Sequence, residues 1–157
     1  MLIKSVLAMA MLFGIGIVGL ASMSWFAKKP GSLGLTEDGK LRPCGNKPNC
    51  VCTFEKRETH AIDPLTVIAD DSIMSKIRDV VDAMPRSMLV DKQNNYLHFE
   101  FRSRWFRFVD DVEIAWIRET DTLHFRSASR SGHSDLGVNR RRVERIKAAI
   151  QATLTGS

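Results

Sequence analysis

Hydrophobic and polar positions recur along this chain at two different periods, and the change of period marks out its elements. Ile73, Ile77, Val80, Val81 and Met84 repeat at helical spacing. Asp70, Asp71 and Ser72 offer capping oxygens ahead of them and Pro85 stops the run, which predicts a helix over 73–84. Residues 87–91 read as a short strand and 92–95 as a turn. Residues 96–102 alternate strictly, with Leu97, Phe99 and Phe101 on one face and Tyr96, His98, Glu100 and Arg102 on the other. Residues 108–117 place Val112, Ile114 and Trp116 opposite Asp111 and Glu113. Residues 122–128 place Leu123 and Phe125 opposite His124 and Arg126. A last helix over 138–154 turns Val143, Ile146, Ala149 and Ile150 to one side.

These elements predict an α+β fold, in the order helix, four strands, helix. Short turns between consecutive strands favour a four-stranded antiparallel meander. Strands with one apolar face need cover on that face, and two helices packed on it would supply the cover. The polar face, with His98, Glu100, Arg102, Asp111, Glu113, His124 and Arg126, reads as solvated and laced with cross-strand charge pairs. Residues 103–107 connect two strands. There Trp105 and Phe106, flanked by Arg104 and Arg107, suit either insertion at a membrane surface or the core.

The N-terminus changes the picture. Residues 5–27 hold no ionisable side chain, a stretch of 23 residues, and about 20 suffice to cross a bilayer as a helix. Gly19-Leu20-Ala21 fits a signal-peptidase site. The apolar stretch nevertheless continues through Met23, Trp25 and Phe26, and Trp25 beside Lys28 and Lys29 suits an interfacial anchor. A retained transmembrane anchor over 1–29 is therefore the expectation, followed by a Gly-rich linker over 30–40 and a soluble domain over 41–157.

Cys44, Cys50 and Cys52 cluster just after that linker, in a stretch rich in Pro, Gly and Asn that reads as turns over 41–60. In a small domain behind an export-like segment, such clustering favours a disulfide. A zinc site would need four ligands, and neither this spacing nor His60 as an extra ligand, which reads as a surface residue, matches a zinc ribbon. The disulfide points to a cell-membrane protein, single-pass, whose domain faces the periplasm or exterior.

Charge narrows the partners. Removing Lys4, Lys28 and Lys29 from the 23 basic residues leaves 20 against 18 acidic ones, a net of +2. That balance argues against nucleic acid. A hydrophobic content of 44% in periodic runs argues against disorder.

The sharpest candidate chemistry lies in the loop over 129–139 and the start of the last helix. Arg126, Arg130 and Arg140, with Arg141 and Arg142, gather near a helix N-terminus, where free N–H groups favour anions. Ser129, Ser134 and Asn139 add donors, so these residues form a candidate anion site. The structural alternative, which we favour, makes Asp110, Asp111 and Asp135 the partners of those arginines in an ion-pair network. Asp110 and Asp111 are adjacent on a strand and point to opposite faces, so they do not share a metal or a proton. Asp110 is expected to accept hydrogen bonds from the Arg130 loop. Nucleophile-elbow, phosphate-loop and dinucleotide motifs are absent, and no cofactor or metal is implied.

Four stretches carry a resemblance: residues 41–52 (LRPCGNKPNCVC), 108–113 (FVDDVE), 125–130 (FRSASR) and 132–143 (GHSDLGVNRRRV). In this order they resemble the domain-of-unknown-function 1499 family of bacterial and plastid proteins, over roughly 41–152. The family brings no agreed activity. The resemblance implies Cys44 and Cys50 as the paired positions. Where members of the family usually carry Ser this chain carries Cys52, and a Cys44–Cys52 bond stays open.

The leading expectation is a non-enzymatic, membrane-anchored envelope domain. Its partner would be an anionic small molecule, a lipid headgroup or an envelope protein. The alternative is a hydrolase acting on an envelope substrate through the His, Asp and Arg groups.

Overall fold

The computed structural model of this chain describes residue 11 and residues 29–68, 70–104 and 107–156. The expected anchor, apart from Met11 and Lys29, lies outside the described residues, as do Trp105 and Phe106. Among the described residues no helix is long and apolar enough to cross a membrane.

The elements run β1 (Cys50–Cys52), β2 (Leu65–Thr66), α1 (Ile73–Asp82), β3 (Ser87–Gln93), β4 (Tyr96–Arg102), β5 (Val109–Ile117), β6 (Thr122–Ser129) and α2 (Val138–Thr155), with a single 3-10 turn at Arg118–Thr120 before β6. The fold is α+β. Its sheet has six antiparallel strands in the order β1-β6-β5-β4-β3, with β2 also on β6. The four-stranded meander expected from periodicity is β3 to β6. The expectation fell two strands short because β1 and β2 are too short to show a period. They form because β6 would otherwise be an edge with unpaired N–H and C=O groups. Cys50, Val51 and Cys52 pair with Ala128, Ser127 and Arg126, and Leu65 and Thr66 pair with Leu123 and Thr122.

The register follows the alternation. Leu97 lies opposite Ile114 and Phe99 opposite Val112 across β4 and β5, while Ile114 meets Phe125 and Trp116 meets Leu123 across β5 and β6. These side chains form one core with Ile73, Ile77 and Val81 of α1 and Val143, Ile146 and Ile150 of α2. Both helices therefore cover the apolar face. Asp70 precedes α1 and accepts from the backbone and hydroxyl of Ser72 at 2.9 and 2.6 Å. The Ser72 hydroxyl, with Lys76, holds the Asp70 carboxyl down to about 2. Beyond the helix, Arg86 turns the chain into β3 with a left-handed φ of 64°.

The second face is where the structure departs from the expectation of a solvated surface. Tyr96, His98, Glu100, Asp111, Glu113 and Arg126 are all buried there. The segment before and through β1 covers them, and a second small core joins Leu41, Cys44, Cys50 and Cys52 to Tyr96 and Ala115, with Leu35 and Phe54 against it. Residues 30–40, which composition reads as a linker, take part in that cover. The Gly34 N–H donates to Glu113 Oε1 at 2.7 Å, and Leu35 bridges to Leu41. Alternation misleads here because polar residues under a lid look the same in sequence as polar residues in water.

Candidate functional site

Cys44 and Cys50 are disulfide-bonded, with their Cα atoms 5.7 Å apart. The alternative Cys44–Cys52 bond is excluded by that pairing. Cys52 is a free thiol, fully buried, and its Sγ lies 3.6 Å from the Arg42 carbonyl. Burial pushes this thiol up from its ordinary pKa. His60 is buried rather than a surface residue, with Nδ1 2.9 Å from the Cys50 carbonyl.

The covered sheet face holds a connected ionic network. Glu113 accepts three hydrogen bonds. Two reach Oε1, from the Tyr96 hydroxyl at 2.8 Å and from Gly34 N–H, and one reaches Oε2 from Arg126 Nη1 at 2.6 Å. Arg126 lies opposite Glu113 in register, so the sheet itself sets this pair. One strand over, Asp111 lies opposite Glu100. Two carboxylates facing each other would repel, and Arg130 sits between them. Its Nε and Nη2 donate to the two oxygens of Asp111 at 2.8 and 2.7 Å, and Nη2 also reaches Glu100 at 2.5 Å. His98 Nε2 lies 2.7 Å from Asp111 Oδ1 and, since a carboxylate only accepts, it donates. Arg102 completes the set on Glu100 Oε2 at 2.9 Å.

Burial opposes ionisation of Asp111 more than any single partner favours it. Arg130 and His98 together still hold its carboxyl below the ordinary range. The hydrogen bonds to Asp111 raise the Arg130 guanidinium in turn. Burial, reinforced by the neighbouring Glu113 charge, raises the Tyr96 phenol.

Asp110 points the other way, as adjacent strand residues must. It meets Arg142 Nη2 at 2.6 Å on the helix side, not the Arg130 loop that had been its expected donor. Arg142 Nη1 also donates to Asn139 Oδ1 at 2.7 Å. Asn139 is fully buried and acts as a hub. Its Oδ1 accepts from the Ser127 hydroxyl at 2.6 Å, and its Nδ2 donates to the Asn49 carbonyl at 2.9 Å and to Ser129 Oγ at 3.0 Å. Asp135 accepts from the backbone N–H of Gly137 and Asn139 at 3.1 and 2.7 Å. The start of α2 thus meets an anion within its own chain.

The candidate anion residues therefore separate. Asn139 is structural. Ser134 accepts from Leu136 N–H at 3.3 Å in an exposed turn, and Arg140 donates to the Thr59 carbonyl at 3.1 Å. Arg126, Ser129 and Arg130 come together on one wall of a cleft of about 300 Å³. The opposite wall is the loop closed by the disulfide, with Asn46 and Lys47, and Pro30 and Ser32 complete the rim. Arg126 has an unusual feature there. It is 6% exposed, and its Nε is buried with no hydrogen-bond partner among the described residues.

Periodicity did not point to Ser32, Asn46 or Lys47. The only signal for the last two was their position between the two cysteines of a disulfide loop. His98 and His124 are not neighbours, since β5 lies between their strands. His124 instead pairs with Thr53 Oγ1 at 3.0 Å and stacks on Phe54. Among the described residues no group of His, Cys, Asp and Glu is arranged to hold a metal ion.

No curated protein matches the chain. A family model described as "Protein of unknown function (DUF1499)" matches residues 40–150. That span runs from the covering segment through the disulfide, both walls of the cleft and most of α2, so the chain belongs to the DUF1499 family.

Proposed function

We propose that this protein is a membrane-anchored envelope domain whose cleft between Lys47 and Arg126 binds a small polar oxyanion, a phosphate or a comparable group. The observation that carries this reading is the convergence of Lys47, Arg126 and Arg130 on one cleft, with Lys47 lacking a carboxylate partner among the described residues. Glu113, Asp111 and Glu100 already engage the two arginines, so Lys47 is the cation of the lining left to meet an added anion, with the arginines' remaining N–H groups beside it. The cleft's small, polar lining favours a compact, hydrated ligand over an apolar one.

Position supports the membrane half of the reading. Pro30 lines the cleft, three residues after the last residue of the apolar stretch, and three residues span at most roughly 10 Å. A cleft so close to the expected interface suits a lipid phosphate as well as a free one. The exported side suits the Cys44–Cys50 disulfide. Binding is favoured over hydrolysis because His98, Asp111 and Arg130 spend their hydrogen-bonding groups on one another.

The test is thermal unfolding of the full chain in uncharged detergent, titrated with inorganic phosphate. The expected result is a saturable rise in Tm that shrinks in Lys47→Ala and disappears in Arg126→Gln. At a hundredfold excess over Kd the stabilisation would be about 2.7 kcal/mol. Repeating the titration in discs containing phosphatidic acid separates a lipid from a soluble source. No rise with phosphate, or an equal rise in all three proteins, sinks the reading.

A further inference from the structure

On the opposite, helix-covered face of the sheet lies a second pocket of about 240 Å³. Its chemistry differs from that of the cleft. Met84, Phe101 and Val138 give it apolar walls, and Arg86, Arg142 and Arg145 stand around them. The carboxylate on its lining is Asp110, which Arg142 already engages at 2.6 Å. The Arg142 guanidinium also lies over the Phe101 ring, 5.1 Å from its centroid, so the cation and the apolar wall form one continuous surface.

Arg86 and Arg145 are exposed, and among the described residues neither has a carboxylate partner. Arg86 gives its Nε to the Arg102 carbonyl at 3.2 Å, which holds its guanidinium at the pocket mouth. Its backbone is left-handed, with a φ of 64°, uncommon for a residue with a β-carbon. Two uncompensated guanidinium groups beside an apolar recess suit a ligand with a charged head and an apolar body.

We propose that this pocket binds an anionic amphiphile. Its phosphate or carboxylate sits between Arg86 and Arg145, and its apolar part rests against Met84, Phe101 and Val138. The site is independent of the oxyanion cleft, because the sheet separates the two and they share no lining residue.

The probe is phenyl phosphate, added to the full chain in uncharged detergent and followed by the methyl NMR signals of Met84 and Val138. Phenyl phosphate should move both signals saturably, while inorganic phosphate and phenol should leave them in place. Arg86→Ala with Arg145→Ala should weaken phenyl phosphate about tenfold, the loss expected on removing charge-assisted contacts. Both positions are on the surface, so the double variant should fold, which an unchanged Tm checks. Methyl signals that already sit at the bound position in phosphatidylglycerol discs, and not in phosphatidylcholine discs, assign a membrane lipid. Signals still free in both assign a soluble ligand. Unmoved methyl signals, or equal affinity in the double variant, overturn the proposal.

Discussion

Asp110 and Asp111 are consecutive on β5 and serve opposite faces of the sheet, Asp110 holding Arg142 of α2 and Asp111 holding Arg130 of the loop between β6 and α2. The side-chain alternation of a strand thus lets two neighbouring carboxylates fasten two different layers onto one sheet. The partners differ in burial, which sets how much each bond matters. Asp111 is 1% exposed and meets Arg130 through both oxygens, whereas Arg142 retains Ser127 and Asn139 as further partners.

Asp111→Asn should therefore be the more damaging change. It weakens the three charge-assisted hydrogen bonds that Asp111 accepts beneath the lid, while Glu100 still holds Arg130, a loss on the order of 3 kcal/mol. Asp110→Asn should cost about 1–3 kcal/mol. Urea unfolding of the two variants should rank them in that order.

Acid should act through Asp111. Its folded carboxyl lies below the ordinary 3.8. The unfolded chain therefore takes up the proton first, and the stability due to this group is present above about pH 4. It is lost as pH falls through the depressed folded value. The Tm of the wild type should drop in that window. In Asp111→Asn the drop should be shallower.

His124 should add a second, higher window. Burial lowers it from 6.5, so the unfolded chain binds its proton first and the contribution declines as pH falls below about 6.5. His124→Gln should flatten the Tm curve as pH falls below 6.5. An unchanged slope there would exclude the burial of His124 as its source.

The disulfide should matter more to the cleft than to the core. It closes a short loop, worth about 2 kcal/mol in the chain-entropy model, and that loop carries Asn46 and Lys47. Cys44→Ser with Cys50→Ser should keep the circular dichroism of sheet and helices and weaken phosphate binding. In the native wild type, alkylation should leave Cys52 unmodified until the protein unfolds, as mass spectrometry would show.

Asn139→Ala should be costly for a polar-to-apolar change at a helix start. It strands the Asn49 carbonyl and two serine hydroxyls in the interior, on the order of 3 kcal/mol. Asp135→Ala should cost about 1 kcal/mol through the lost cap. Chemical denaturation checks both.

Much of this was legible in the residues. The strands from β4 to β6 carry Leu97, Phe99, Ile114 and Phe125 at a period of two, and a period is a local property that burial on one face imprints directly. The same holds for Ile73 and Ile77 on α1 and for Val143, Ile146 and Ile150 on α2. The opposite positions of Asp110 and Asp111 followed from strand geometry alone.

The other half depended on what lay above the polar face. Glu113, Asp111 and Arg126 carry the same alternation whether water or protein covers them, so nothing local told a solvated face from a buried network. The cover comes from residues 33–54, distant in sequence and too irregular to show a period. The donors that complete Glu113, at Gly34 and Tyr96, are separated from it by 79 and 17 positions. The pairing of β3 to β6, the helix faces and the need for a disulfide thus reside in the chain's own order, whereas the pairing of β1 and β2 with β6 does not. Which carboxylate meets which arginine, and which arginine is left with an unpaired Nε, is settled only when distant segments close over the sheet and exclude the water that would have satisfied them all.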